Sequence, residues 1–362
     1  MKLKVHLHTI RDWMRQHKKW TIVISIATVL LISSVVVTAL YFTNQPAEPE
    51  PVKQTVVEPK PAPEPPKYYS PLTGSLVKSE DKIDDLVTAI MIENSPDARP
   101  QSGLKDSGVV FEAIAEGGIT RFLVLYQQEK PQLVGPVRSL RSYYVDWLAA
   151  FQPSVAHIGG SATALAEVRN GSYRDIDQFF NPGAYWRATD RYAPHNVYTS
   201  FERLDALNAS KGYTTSSFTG FSRKDSQASA VPTATSINVV ISSALFNSSY
   251  VYDATTNLYN RSQAGAAHTD REAGQIAPRV VIVLKVPMVT VFEDGYRQQL
   301  TTIGSGNAVI FQDGIATEVT WSKPAKTAQI TFTDADGKEV ALARGQTWIT
   351  AIPSTTGVVT WQ

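Results

Sequence analysis

Two arginines, Arg138 and Arg141, stand in the stretch GPVRSLRSYY (135–144) with no carboxylate three or four residues further on to neutralise them. Read as the opening turn of a helix over 139–151, they oppose the helix dipole at a cost of about 0.3–1 kcal/mol, while free N–H groups at the same place attract anions. That pairing of residue type and position fits a bound phosphate or carboxylate, while an internal carboxylate is the default reading. The hairpin VVFEAIAEGGITRFLVL supplies internal candidates. With a two-residue turn at Gly117-Gly118 or Gly118-Ile119, Glu112, Glu116 and Arg121 share one sheet face. Glu112 and Glu116 are about 13 Å apart along a strand. This exceeds the roughly 5–9.5 Å of paired glycosidase carboxylates, so the two read as a clasp rather than an acid/base pair.

Proton-transfer candidates are few. His157 precedes Ile158-Gly159-Gly160-Ser161, where a strand gives way to a helix and glycines let a ligand approach backbone N–H groups. His195 lies in WRATDRYAPHNVYTS with Arg187, Asp190, Arg191 and Asn196. Polar and aromatic residues crowded into a loop are the usual material of a site. Either histidine is of a type to act as general base. Patterns for a serine-nucleophile elbow, a phosphate-binding glycine loop or a zinc helix are absent from the sequence. His157, His195 and Asp190 have no spacing that marks a metal site, so neither metal nor cofactor is expected.

Positioning these residues requires strands and helices in alternation. Segments 86–94, 109–117, 120–128 and 154–161 read as strands, and 139–151, 162–171 and 200–212 as helices. In the first helix Leu140, Tyr143, Tyr144, Trp147, Leu148 and Phe151 fall on one face, which must dock on a core. In the last, Thr199 and Glu202 stand at capping-box spacing and Gly212 closes the far end. An α/β module over 68–212 is therefore expected, then a polar linker or loop over 213–235. A mostly antiparallel β module over 236–362 follows, its strands separated by turns such as Asp313-Gly314 and Asp336-Gly337.

Ahead of these, residues 21–43 carry no charge and no Pro or Gly. At 1.5 Å per residue they span roughly 34 Å, enough for a hydrocarbon core of about 30 Å. Residues 1–20 hold six basic residues (Lys2, Lys4, Arg11, Arg15, Lys18, Lys19) against the single acid Asp12. Such a tail stays in the cytoplasm and sends the rest of the chain outside, as a single-pass anchor. The competing reading, a cleaved signal peptide, expects a shorter apolar stretch. The spacer 44–67 is rich in Pro and Glu and has the composition of an extended tether. Over the whole chain charge is balanced, 34 Lys and Arg against 33 Asp and Glu, which gives no general attraction to nucleic acid. Cysteine is absent, excluding disulfides, thiolate chemistry and attachment through a lipidated cysteine.

Several short motifs in order, SPLTG (70–74), MIENSPDARPQSGL (91–104), VVFEAIAEGGITRFLVLY (109–126), GPVRSLRSYY (135–144), HIGGS (157–161) and APHNVYTS (193–200), resemble the YerB-like family of bacterial envelope proteins. YNRSQAGAAHTDREAG and GQTWITAIP extend the likeness into the second module. Members look like lipoproteins anchored through a cysteine, whereas this chain carries an apolar helix instead. The resemblance implies a cell-envelope address and two modules, and no established reaction. Its motifs contain the polar residues chosen above, so Arg99, Glu112, Glu116, Arg121, Arg138, Arg141, His157 and His195 form the candidate site, with Asp190 and Asn196 beside it. Three functions are open: binding of an anionic envelope ligand such as a wall-peptide carboxylate or glycopolymer phosphate; an envelope hydrolase or transferase using His157 or His195; and an assembly protein whose β module meets a protein partner.

Overall fold

The computed structural model describes residues 10–46 and 66–362, which fall in two compact units, Met1–Glu64 and Pro65–Gln362. In the first, helix α1 (Lys18–Thr43) is long and apolar enough to cross a membrane. Trp20 stands near one end and Tyr41 and Phe42 near the other, positions that suit the two interfaces of a bilayer. Residues 47–65 of the expected spacer, and Lys2 and Lys4 of the basic tail, lie outside the described residues.

The second unit is built on one ten-stranded sheet. Its strands in chain order are β1 (Thr88–Glu93), β2 (Val109–Ile114), β3 (Thr120–Tyr126), β4 (Ser154–Ala156), β5 (Arg174–Asp175), β6 (Val280–Val286), β7 (Gly304–Gln312), β8 (Ile315–Lys323), β9 (Thr331–Thr333) and β10 (Thr347–Pro353). They lie side by side as β9-β8-β7-β6-β10-β2-β3-β1-β4-β5. Strands from before and after the expected linker thus share the sheet, and meet where β10 pairs parallel with β2, Thr347 opposite Val109. The expected α/β and β modules do not close separate cores. Val109 and Val280 of the two halves belong to the same buried cluster as Ile349, because a strand buried on both faces needs neighbours on both edges.

Helices α2 (Ser142–Leu148) and α3 (Ala162–Val168) stand beside the strands, and α4 (Phe201–Ser210) closes the first half. The face of α2 expected to be buried is buried: Tyr143, Tyr144, Trp147 and Leu148 pack with Phe111 and Phe151. The hydroxyls of Tyr143 and Tyr144 donate to the carbonyls of Ile114 (2.8 Å) and Arg121 (2.6 Å), pinning the helix to the end of the β2–β3 hairpin. A second, five-stranded sheet carries Ser236–Val240, Ser248–Asp253, Leu258–Gln263, Ala266–Ala267 and Val358–Trp361. Its inward residues Ile237, Val239, Tyr250 and Tyr259 pack on Val281, Val283 and Phe311 of the large sheet.

Three local expectations need correction. The turn between β2 and β3 has three residues, Glu116-Gly117-Gly118, not two: Ile114 stands opposite Thr120, and Ala113 opposite Arg121. Both glycines take positive φ (57° and 78°), which the loop requires. One residue more in the turn reverses the parity, so Arg121 shares its face with Ala113 and not with Glu112. Next, α2 begins at Ser142, and 137–140 are extended, bridging Ile92 through Val137 and Gly160 through Leu140. Arg138 is therefore outside the helix, and Arg141 is its N-cap. Finally, α4 is capped by Ser200, whose Oγ accepts the Arg203 N–H, because Thr199 belongs to a strand and donates to the Ala184 carbonyl (2.8 Å).

Candidate functional site

The residues singled out by type separate into three carboxylate-centred groups that the fold treats differently. Glu112, on β2, is sealed. Its Oε2 accepts from Arg261 (2.9 Å) and the Trp348 indole (3.0 Å), and its Oε1 accepts from Thr120 (3.1 Å). The Glu112 and Arg261 side chains are 1% and 0% exposed. The guanidinium lies 4.5 Å from the Trp348 ring centroid and also donates to Tyr250, Gln263 and Nδ1 of His268. His268 then donates from Nε2 to Gln101 (3.1 Å). Since Nδ1 must accept from an arginine, the imidazole is neutral; burial first, then Arg261 and Arg99, hold its pKa well below the ordinary value. Gln101 and Arg99 both donate to the Asn94 side-chain carbonyl (2.9 and 3.2 Å), so Arg99 belongs to the rim of this network. The Glu112 carboxylate, the Arg261 guanidinium and both nitrogens of His268 all have partners; of the network's buried side-chain atoms only Gln263 Nε2 lacks one among the described residues.

Glu116, at the hairpin turn, forms the clasp. Arg141 donates to its Oε1, and Arg121 stands 3.2 Å from its Oε2 while also donating to the Ser139 carbonyl (2.8 Å). Arg297 reaches to 3.9 Å of the same carboxylate. Burial alone would raise the Glu116 pKa; Arg121 and then Arg141 outweigh it and hold the carboxyl below its ordinary value. Arg141 thus has the internal partner that its sequence position left open.

Glu93, at the end of β1, is different. Ser95 Oγ and His195 Nδ1 both bond to its Oε1 at 2.8 Å, and Arg138 Nε stands 3.2 Å from the same oxygen. Its Oε2 is buried without a hydrogen-bond partner among the described residues, as is Arg138 Nε. Arg138 forms no side-chain hydrogen bond there at all. The Arg138 and His195 side chains are 24% and 23% exposed, whereas Glu93 is 4% exposed. Backbone bonds fix the group: Glu93 N–H donates to the Pro136 carbonyl (2.9 Å) and Arg138 N–H to Met91 (2.8 Å). His195 is thus held by a carboxylate at Nδ1, leaving Nε2 with one loose contact, 3.9 Å to the exposed Asp97. Ser95 also sits on the Nδ1 side (3.2 Å), beside the carboxylate, whereas the nucleophile of a serine triad stands on the opposite nitrogen, Nε2.

The remaining candidates are structural. His157 is completely buried, with Nδ1 on the Gly159 carbonyl (2.8 Å) and Nε2 on Asp175 (3.0 Å), so neither nitrogen is open to act as a base. Asp177, which accepts the Gly159 N–H and pairs with Arg169 (2.5 Å), completes that lock. Asn196 closes its own loop, donating to Ala188 (3.0 Å) and accepting from Arg187 (2.7 Å). Asp190 pairs with Arg271 (2.6 Å) on the surface, and that hydrogen bond lowers its pKa. Glu93, Ser95, Arg261 and His268 were not selected from the sequence. Glu93 had a signal, a single carboxylate ending the apolar run TAIMI; Arg261 and His268 had none beyond their motif.

A mixed sheet, helices beside its first half, a smaller antiparallel sheet over its second and a polar cluster at a strand end define an α/β protein with a β-sandwich extension. Residues 72–214 match the family described as Protein of unknown function (DUF3048), N-terminal domain, and residues 237–349 match the corresponding C-terminal domain. The chain is 33% identical over 303 residues to YerB of Bacillus subtilis (strain 168), provisionally named a lipoprotein, covering 79% of this chain and 87% of that protein. A crystal structure of the YerB protein from Bacillus subtilis superposes with a TM-score of 0.72 at 30% identity, over 81% of this chain and 100% of that one. The chain belongs to the YerB-like family. An apolar N-terminal helix and a lipoprotein-named relative both point to association with a membrane.

Proposed function

We propose that the protein is held in the membrane by α1 with its N-terminus in the cytoplasm, and that its outer unit binds a phosphate- or carboxylate-bearing component of the cell envelope at Arg138 and His195. The basic residues before α1 support that orientation. One observation carries the binding reading: the Arg138 side chain is a quarter exposed and forms no hydrogen bond, and the carboxylate beside it comes nearest to its Nε. The two terminal nitrogens are the pair that grips an oxyanion bidentately. The test is co-sedimentation of residues 66–362 with isolated cell-wall material across a salt series, wild type beside Arg138→Ala. Loss of binding with an unchanged melting transition supports the reading; a folded wild type that stays in solution defeats it.

A second reading rests on the Glu93–His195 pair. A carboxylate on Nδ1 and an open Nε2 are the arrangement of an oriented general base, which would activate a water in an envelope hydrolase. His195→Ala would then abolish release of soluble wall fragments while sedimentation with the wall persists.

A further inference from the structure

The five-stranded sheet stops short of covering the large one. Beyond its edge strand Val358–Trp361 lies an open groove of about 420 Å³, floored by Val283, Asn307, Val309 and Thr320 of β6, β7 and β8 and walled by Val359 and Trp361. Asn307 stands opposite Thr320 and Val309 opposite Glu318, so the floor is one continuous face of the β7–β8 hairpin.

The hydrogen-bond pattern of the edge strand says what kind of chain fits there. Ser236 and Gln362 exchange both backbone bonds (3.0 and 3.1 Å). Antiparallel ladders alternate, so Asn238 with Thr360 and Val240 with Val358 are the next bonded pairs. Val359 and Trp361 fall between them. Their N–H and C=O groups point away from Ser236–Val240, into the vacant strand position. Their side chains, half-buried, turn toward the groove, while Val358 and Thr360 are exposed on the outer side. Four backbone groups in line above a part-apolar floor are the features of a strand acceptor.

We propose that this groove receives an extended segment of a partner protein, added antiparallel or parallel to Val358–Trp361. Alternate side chains of the guest would pack between Trp361 and Val309, and its backbone would satisfy Val359 and Trp361. Glu318 and Asp334 stand at the rim against the single ammonium of Lys285, and neither Glu318 nor Lys285 forms an ion pair among the described residues. The rim is net negative, so the guest carries Lys or Arg at its ends. The groove shares no residue with the Glu93 cluster, and the proposal stands apart from the reading of that cluster.

The experiment uses the full chain in lipid nanodiscs and the synthetic peptide acetyl-Lys-Thr-Val-Thr-Val-Thr-Val-Lys-amide, with two copies N-methylated at every Val or at every Thr. Hydrogen exchange across residues 354–362 is followed during titration. The expected result is protection of this segment by the plain peptide and by only one methylated copy. Val359→Pro removes an outward N–H without touching a ladder bond and weakens binding by about tenfold or more. Asn307→Trp, which fills the groove from its floor and leaves the edge strand intact, does the same and decides the matter if Val359→Pro fails to fold. The proposal is overturned by equal binding of both methylated copies, by unchanged binding to Asn307→Trp, or by no protection at millimolar peptide. It is overturned also if the chain pairs with a second copy of itself through this edge, seen as concentration-dependent association that Asn307→Trp abolishes.

Discussion

Glu112 and Glu93 stand on neighbouring parts of one sheet, each with an arginine and with histidine close by, yet one set is closed and the other open. At Glu112 both carboxylate oxygens, the guanidinium of Arg261 and both nitrogens of His268 have partners, and nothing reaches solvent. At Glu93 three groups converge on a single oxygen, the other oxygen has none, and the quarter-exposed Arg138 side chain forms no hydrogen bond. Residue types are nearly the same, so type alone does not distinguish structure from site. Saturation does: a fully paired buried ion pair fixes a core, whereas a partly satisfied one has capacity for something more.

The sharpest way to break this comparison is to remove one partner from each set. Arg261→Ala leaves Glu112 buried without a countercharge, with only neutral hydrogen-bond donors such as Thr120 and the Trp348 indole, and we expect a loss of about 3–5 kcal/mol in chemical unfolding. Arg138→Ala should cost clearly less, because the Arg138 side chain is a quarter exposed and forms no hydrogen bond, and the buried Glu93 keeps Ser95 and His195 on its Oε1. If the two losses are equal, saturation has no value as a criterion here.

The next effect is one of pH. His268 is neutral in the folded chain because burial and two arginines depress its pKa, whereas the unfolded chain takes up a proton near the ordinary value of about 6.5. Its contribution is present in full above that value. It falls as the pH drops toward the folded pKa, at a limiting slope of about 1.4 kcal/mol per pH unit for one proton. Urea midpoints between pH 7.5 and 5 should fall for the wild type and fall less for His268→Gln.

For binding, Arg138→Ala should weaken co-sedimentation with wall material by about tenfold or more. Arg141→Ala should act through stability, since its guanidinium is spent on Glu116. The smallest effect expected is acid sensitivity of that clasp. The Glu116 pKa is lowered on folding, so its contribution is present above the unfolded value of about 4.3 and is lost as pH falls through the folded one. Melting temperatures from pH 5 to 3 should decline less steeply for Glu116→Gln than for the wild type.

By itself the sequence determined the pieces whose causes are local. The 23 uncharged residues of 21–43 specify an apolar helix, because hydrophobic length is a property of consecutive residues. The apolar face of α2 could be read from its periodicity, and the strands from β-branched and aromatic runs, as 109–114 and 120–126 show. Motif order was enough to identify the family. Only the tertiary structure decided what each charge is for. One extra residue in the Glu116-Gly117-Gly118 turn placed Arg121 with Glu116 and left Glu112 to Arg261, 149 residues away in the chain. A helix that begins at Ser142 rather than at 139, with Leu140 bridging Gly160, separated Arg138 from Arg141 and sent them to different carboxylates. Pairing of β10 with β2 merged two expected cores into one sheet. Register and long-range pairing depend on which distant strands meet, and no window of sequence contains that choice.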